Sequence, residues 1–560
     1  VSEDPAGLLE HAWELEPPLR LRERTAALDR LSELLAGGAV SDPPDGRNWE
    51  LELIAERAID AAAAERVTEA LELADRVLAW AGAGAEIAIA RATLARGRAL
   101  AWSGTSEGSR AAEAALTEAA ARFELLGHAE WRGFALFWRG YACCYENGRL
   151  REARTLLDQA LEVLAHSSPR RAGVLGYYAD IAIDLGEWDR AEAALDEAFA
   201  LAEMNADAKA RDYVNWSRAH MAACRGDSAL AERLYHEIER DAGDWWSHYG
   251  AYFLCDAART LDAAGQTAQA HVYLRKAVEL LNDSEIGSGQ DTEDFEALVQ
   301  ARAMIEARSG DPLAAIEQLQ DLARRRWLEK RMVWRFTLLG AWARLRAGDR
   351  SQAATDAARG FEAAVATGAI TVATASEPEL SLALAPLAVE AGSQHALQLL
   401  VPPGGVAVWV FGDPVAIGAD GVALELPPGK PAELVRMLAV APHGLPVDVV
   451  LEAFFPETAP TTARSRLRQV LTRLRAAAGD IVLRDGELLK LAPAWVDARE
   501  CLALARRART SRGTRALVAR HAALALAARG PLLVSDPYAS WADDARDEVA
   551  GELARLGDAE

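Results

Sequence analysis

TTARSRLRQVLTRLRAAAG, residues Thr461 to Gly479, carries five arginines (Arg464, Arg466, Arg468, Arg473 and Arg475) and no acid, inside a 560-residue chain of net charge −23. Ala463, Leu467, Val470, Leu471, Leu474 and Ala478 recur at helical spacing and share one face. At roughly 100° per residue, Ser465, Arg468, Gln469 and Thr472 point away from that face. Arg464 and Arg475 flank one side, Arg466 and Arg473 the other. One buried stripe, an outward strip of base-reading side chains and arginine flanks suit a DNA major groove. Arg and Gln can contact base edges in bidentate fashion, and flanking arginines can neutralise phosphates. Taken alone, the pattern also describes a solvated helix face, so its neighbours decide the reading.

Upstream, Val401-Pro402-Pro403-Gly404-Gly405 ends a long helical region, which places a boundary near residue 400. Val406–Val410, Val415–Ile417 and Val422–Leu426 read as short strands around the turn Gly418-Ala419-Asp420-Gly421. Three helical stretches follow: Pro431–Ala441, Pro446–Phe454 and Thr461–Ala478. Ile481–Leu483 and Leu488–Leu491 then read as a hairpin, with Asp485-Gly486 as its turn signal. Strands, three helices and a β-hairpin make a winged helix preceded by a small sheet.

The rest of the chain is a different module. By count, residues 1–400 carry about −22, residues 401–500 about −2 and residues 501–560 about +1. So acidic a chain should not bind nucleic acid by bulk attraction. Its length calls for two to four domains. From about residue 130 a Gly followed five positions later by Ala recurs six times: Gly148–Ala153, Gly186–Ala191, Gly226–Ala231, Gly265–Ala270, Gly310–Ala315 and Gly348–Ala353. The glycines are 38, 40, 39, 45 and 38 residues apart. Each is expected to end one helix in the left-handed conformation. Each Ala would let the next helix approach closely, with Leu157, Leu195, Tyr235, Leu274 and Leu319 packing inward four positions later. Ala160, Ala198 and Ala277 follow after three more. This resembles the tetratricopeptide repeat in a long form, and the resemblance implies a superhelix that binds peptides, partner proteins or small ligands. Residues 1–130 are helical and alanine-rich, with repeats that cannot be phased.

Trp131, Trp138, Trp188 and Trp216 are expected to be mainly core. Trp245, Trp246 and Tyr249 are the candidates for an exposed partner or ligand contact, and Asn282–Glu293 reads as a long inter-repeat loop. The five cysteines include no CxxC pair and read as buried thiols in a reducing compartment. No signal peptide and no run of about 18 apolar residues is present. A cytoplasmic protein without membrane association is therefore expected, and Val1 is either an alternative start or the edge of a longer chain.

From Phe411 to Gly479 the chain resembles the DNA-binding domain of the Streptomyces antibiotic regulatory protein (SARP) family, an OmpR/PhoB-type winged helix. Leu434–Leu438, Leu445–Pro456 and Ala463–Ala478 carry the match, with Phe454-Phe455-Pro456 where Leu-Trp-Pro is usual. The resemblance implies that Thr461–Ala478 is the recognition helix and Ile481–Leu491 the wing, with Lys430 and Arg484 as backbone contacts. Val496-Asp497, Gly530-Pro531-Leu532-Leu533 and Tyr538-Ala539-Ser540-Trp541 resemble the start of the bacterial transcriptional activator domain, cut short at residue 560.

No GxxxxGK[ST] phosphate loop, HExxH or GxSxG is present, and histidines such as His220, His236 and His248 are scattered. No cofactor, metal site or enzymatic activity is expected. The expected architecture is mostly α: helical residues 1–130, a tetratricopeptide-like array over 131–400, a winged helix over 401–495 and a truncated helical activator domain over 496–560. The expected function is transcriptional regulation, by promoter DNA binding (direct repeats, by the resemblance), contact with RNA polymerase, and a protein or small-molecule signal on the array. In that reading the acidic array could fold over the arginine helix and mask it. The competing expectation is an interaction scaffold whose winged helix contacts proteins.

Overall fold

Alternation of amphipathic helices with Gly-Asp turns makes most of this chain an antiparallel stack of helix pairs. The computed structural model describes residues 4–557 apart from 15–20, 38–46, 65, 81–83, 102–105, 147, 167, 169, 206, 243–245, 284–292 and 325–329. The pairing is plain from helix Trp49–Ala63 onward, so the N-terminal region continues the same architecture. Each glycine turn has a local cause. Gly148, Gly186, Gly226, Gly265 and Gly348 take φ between 66° and 87°, where a Cβ would collide with the backbone. In three units the following Asp (Asp227, Asp311, Asp349) caps the next helix by accepting from the backbone N–H of Leu230, Leu313 or Gln352. Gly310 departs from the expected left-handed turn: its φ is not positive, and the Glu306 carboxylate folds over the turn to accept from Asp311 N–H at 2.7 Å.

Ala153, Ala191, Ala231, Ala270, Ala315 and Ala353 are all fully buried, as the close approach of paired helices requires. Leu157, Leu195, Tyr235 and Leu319 are buried behind them, whereas Tyr273 takes the place expected for the half-buried Leu274. Gly392, a few residues before the expected boundary, repeats the turn. It has φ 90°, and Ser393 caps helix Gln394–Leu400, so that helix and helix Pro378–Glu390 form a last pair.

First helices of successive units lie against one another: Arg171–Asp184, Ala208–Cys224, Trp246–Ala263, Glu293–Ser309 and Val333–Arg346. The second helices stand further apart and form the outer row. The stack also curls back on itself. Arg331, in a short 3₁₀ turn at Lys330–Met332, bonds Asp184 and covers the Tyr145 ring at 4.6 Å. The Thr371 side chain fills the space beside Gly186, and Leu185 lies against Gly368.

After the last pair, β1 (Val406–Trp409) lies between antiparallel β2 (Val415–Gly418) and parallel β6 (Ala494–Val496). The strand expected at Val422–Leu426 is reduced to a single bridge, Ile417 with Ala423, because the Pro427-Pro428-Gly429 turn lifts the chain away towards the next helix. Helices Lys430–Ala439, Val447–Phe454 and Pro460–Ala478 follow. A second sheet holds β3 (Leu445–Pro446), β5 (Leu488–Leu491) and β4 (Val482–Asp485), with β5 central. The β4–β5 hairpin turns at Gly486, φ 60°.

Helices Asp497–Thr510, Gly513–Ala527 and Asp543–Gly557 close the chain and join this unit to the array. One hydrophobic core runs from Leu51 through both regions to Leu556. Among the described residues, no helix is long and apolar enough to cross a membrane.

Candidate functional site

Helix Pro460–Ala478 begins on a proline at its first turn, which costs no hydrogen bond there, and stops at Gly479, φ 70°. Ala463, Leu467, Val470 and Leu474 are buried and Leu471 half-buried, the stripe the periodicity predicts. Arg464, Ser465, Arg466, Arg468, Gln469, Thr472, Arg473 and Arg475 are all exposed. Their partners lie close by. Arg464 reaches Asp448 at 3.1 Å and Glu487 at 3.6 Å. Arg475 bonds Asp480 at 2.5 Å, and Arg466 touches Thr458 at 3.5 Å. Arg468, Gln469 and Arg473 have no side-chain partner among the described residues. Every carboxylate that does bind this face belongs to residues 448–487, so the array does not mask it through ion pairs.

The other expected contacts divide. Arg484 is exposed on the hairpin, tied to Glu487 at 2.7 Å. Lys430 is turned inward: its ammonium pairs with Glu433 at 2.9 Å and sits 4.3 Å from the Phe454 ring, so it packs its own unit.

Of the aromatic residues singled out in the array as candidate contacts, Trp246 and Tyr249 are among the described residues. Trp245 lies outside the described residues. Trp246 packs against Gly250 and Phe253, and Tyr249 faces Lys209 at 4.8 Å; both are half-buried. Residues 284–292 of the expected loop also lie outside the described residues.

A second set of aromatics, buried to the same degree, lines the inner row. Tyr145, Tyr177, Tyr213, Trp216 and Tyr252 are each half-buried. They form a ladder across successive first helices. Tyr145 is 6.2 Å from Tyr177, Tyr177 5.8 Å from Tyr213, Tyr213 5.8 Å from Trp216, and Trp216 5.9 Å from Tyr252. Gly176 permits the approach, since a Cβ there would meet the Tyr213 ring at 3.1 Å.

Acids sit under the ladder. Asp180 accepts from Tyr213 OH at 2.9 Å and Ser217 Oγ at 2.7 Å. Asp256 accepts from Trp216 Nε1 at 2.6 Å and pairs with Arg259 at 2.8 Å. Burial pushes the Asp180 carboxyl up to about 6, although Ser217, Arg331 and Tyr213 pull the other way. Asp256 is held down at about 2: burial opposes this, but Arg259, His220 and Trp216 outweigh it. Burial also lowers the affinity of His220 for a proton. These positions repeat at helical spacing from one first helix to the next (177, 180 and 184; 213, 216–217 and 220; 252, 256 and 259). The signal was in the sequence, but no turn or motif marks it.

Burial pushes the thiols of Cys143, Cys224, Cys255 and Cys501 up to about 12, as expected of core cysteines. Among the described residues no group of three His, Cys, Asp or Glu could hold a metal ion.

No protein-family model matches the chain, and no curated protein matches it. Several solved structures are similar in part. A Rap protein in complex with competence and sporulation factor is 14% identical, with 66% of this chain and 99% of that one covered at a TM-score of 0.49. The apo form of RapI is 13% identical, with 65% and 99% covered at 0.44. Aspartyl phosphate phosphatase F from Bacillus subtilis is 14% identical, with 49% and 70% covered at 0.38. At such values the likeness extends to helical make-up and carries no functional conclusion.

Proposed function

We propose that this chain is an interaction scaffold of helical repeats whose inner row receives a protein, peptide or small-molecule signal. The observation that carries the reading is the ladder from Tyr145 to Tyr252. Aromatic side chains that serve packing alone tend to bury their faces, whereas these five keep some exposed surface across successive repeats. Site-specific photo-crosslinking tests it, with the crosslinker at Tyr252 and, as the control, at Leu125, which is 89% exposed at the end of helix Ser106–Leu125. A discrete partner trapped from Tyr252 and not from Leu125 supports the scaffold. Equal trapping at both, or none, removes it.

A separate observation favours a second activity on the same chain: Arg468, Gln469 and Arg473 project into solvent from a helix flanked by a hairpin. In this reading residues 401–495 form an OmpR-type winged helix, and helix Pro460–Ala478 enters the major groove of promoter DNA. Residues 496–560 correspond to the start of an activator domain and lock that unit to the array. Direct-repeat sites, a contact with RNA polymerase and transcriptional activation belong to the same proposal. Its test is selection from a genomic DNA library by the full chain over a salt series, beside an Arg468→Ala/Arg473→Ala variant. Enrichment of a defined sequence that the variant loses supports it. No enrichment at low salt leaves the scaffold alone, with the arginine face as a protein contact.

A further inference from the structure

Three layers of side chains face inward from helices Arg171–Asp184, Ala208–Cys224 and Trp246–Ala263. Around them, acids and bases are matched almost one to one. Asp184 is bound by Arg331, and Asp256 by Arg259. Glu377, further along the same interior, is bound by Arg308 and Arg335. Asp180 is the exception. Its two oxygens meet only the hydroxyls of Tyr213 and Ser217, and among the described residues no cation lies within ion-pair distance. Asp180 as a residue is half-buried, and desolvation dominates the environment of its carboxyl. It stands among Tyr177, Tyr213 and Trp216, whose rings form the ladder, while Arg331 covers Tyr145 at one end.

A surplus carboxylate among electron-rich ring faces, on a half-buried residue, is matched by a desolvated cation. An anion would meet the field of Asp180, whose neighbours Asp184 and Asp256 are already paired. A neutral ligand would add nothing to the two hydroxyls and the more distant Arg331 that now offset Asp180. Guanidinium or ammonium over a Tyr or Trp face gains further from the ring quadrupole. We infer that the inner cleft between Tyr145 and Tyr252 binds an organic ammonium group, with Asp180 as its counter-ion and Tyr177, Tyr213 and Trp216 as its walls. The inference rests on the scaffold reading and gives it a ligand chemistry. The ammonium belongs either to a free amine or to the N-terminus of a peptide.

Calorimetry on the full chain separates these sources. The probes are phenethylamine, its neutral analogue 2-phenylethanol, and the tripeptide amide Phe-Gly-Gly with a free or an acetylated N-terminus. Phenethylamine is expected to bind about tenfold or more tightly than the alcohol, the difference a charge-assisted bond supplies. Asp180→Asn, which keeps an acceptor for one of the two hydroxyls and offers an N–H to the oxygen of the other, should erase that difference while the chain stays folded in a thermal scan. Tyr177→Ala should weaken the amine by removing a wall without touching the carboxylate. Stronger binding of the free tripeptide than of phenethylamine, lost on acetylation, assigns the cleft to a peptide N-terminus. Equal binding of amine and alcohol, unchanged amine affinity in Asp180→Asn, or no binding of any probe overturns the inference. If Tyr252 still crosslinks a partner in that case, the scaffold stands and only the ammonium assignment fails.

Discussion

Replacing Arg308 by methionine removes a cation that two buried acids share. Arg308 donates Nε and Nη2 to Glu377 at 2.7 and 2.9 Å, and Nη1 to Asp262 at 3.2 Å; all three residues are buried. In the variant Glu377 keeps Arg335 at 3.3 Å, but Asp262 keeps only the hydroxyl of Thr514 at 2.7 Å. Breaking a buried pair by deleting one partner costs about 3–5 kcal/mol. One acid is stranded rather than two, so the lower figure applies, about 3 kcal/mol. Thr514 opens helix Gly513–Ala527, so the loss falls where the C-terminal helices meet the array. A local readout suits so long a chain better than a global transition. Amide exchange in helix Gly513–Ala527 should rise roughly 100-fold, since about 1.4 kcal/mol is a factor of ten. Arg308→Met/Asp262→Asn should recover most of the protection, because the amide oxygen still accepts from Thr514 without a charge. Exchange within threefold of the parent in Arg308→Met would refute the reasoning. The linkage has a definite sign. Burial raises the Glu377 carboxyl, but Arg308, Arg335 and Arg515 outweigh it and leave it below its ordinary 4.5. Its stabilisation is therefore present above the unfolded value and is lost as pH falls through the lower folded one.

Asp497 accepts from the backbone N–H groups of Val410, Phe411 and Ala498 at 2.7–3.0 Å, so Asp497→Ala strands three buried donors; at about 1–3 kcal/mol each, amide exchange across β1 and β6 should become global. Gly226→Ala meets nothing within 4 Å and should cost only the left-handed penalty of about 1 kcal/mol, whereas Gly186→Ala also drives a methyl to within 2.5 Å of Thr371 and should lower the melting temperature further; equal losses would show that the stack does not curl shut there. Asp180 must be ionised to hold an ammonium, so amine affinity measured by calorimetry should fall as pH drops through about 6, with Arg331, Asp184, Asp256, Tyr145, Tyr177, Tyr213 and His220 facing the same space and burial lowering the proton affinity of His220. The free chain shows the opposite sign: with its folded value above the ordinary 3.8, Asp180 contributes stability at low pH that is lost as pH rises through about 6.

What could be read from sequence was local and periodic. The glycine turns, the buried alanines and the stripe Ala463–Leu467–Val470–Leu474 are set by spacing along one helix or across one turn. The further turn at Gly392 falls outside the Gly–Ala series, because no Ala stands five positions on; Ser393, which caps the next helix, is its mark. The ladder was missed for a different reason. Tyr145, Tyr177, Tyr213 and Tyr252 come together only when first helices stack, and they stand 3, 9, 13 and 13 residues before Gly148, Gly186, Gly226 and Gly265, so no fixed offset marks them. The curl that sets Arg331 on Asp184, 147 positions apart, leaves no local trace at all. Trp246 stands out in the sequence beside a second indole, but in the fold its ring packs on Phe253 of its own helix.

The arginine helix poses the question of how an acidic chain would hold DNA. Five arginines lie along it, but Arg464 and Arg475 are already ion-paired by Asp448, Glu487 and Asp480. If those pairs persist on the duplex, Arg466, Arg468 and Arg473 are the main source of released counterions, and the salt dependence of log affinity should have a slope near −2.7 at about 0.9 per phosphate. If DNA strips the carboxylates away, all five contribute and the slope approaches −4.5 by the same rule. The first case predicts that Arg468→Ala/Arg473→Ala removes about two thirds of the salt dependence; the second, that it removes less than half. Asp448→Asn/Glu487→Gln separates the cases again, because it frees Arg464 from both carboxylates and should steepen only the shallow slope. Over a fourfold rise in salt the two slopes correspond to about 40-fold and about 500-fold losses of affinity, well separated in a single titration. A slope of zero in the parent chain would mean that phosphates are not what this face meets, and the arginines would then have to answer to acidic side chains of a protein partner.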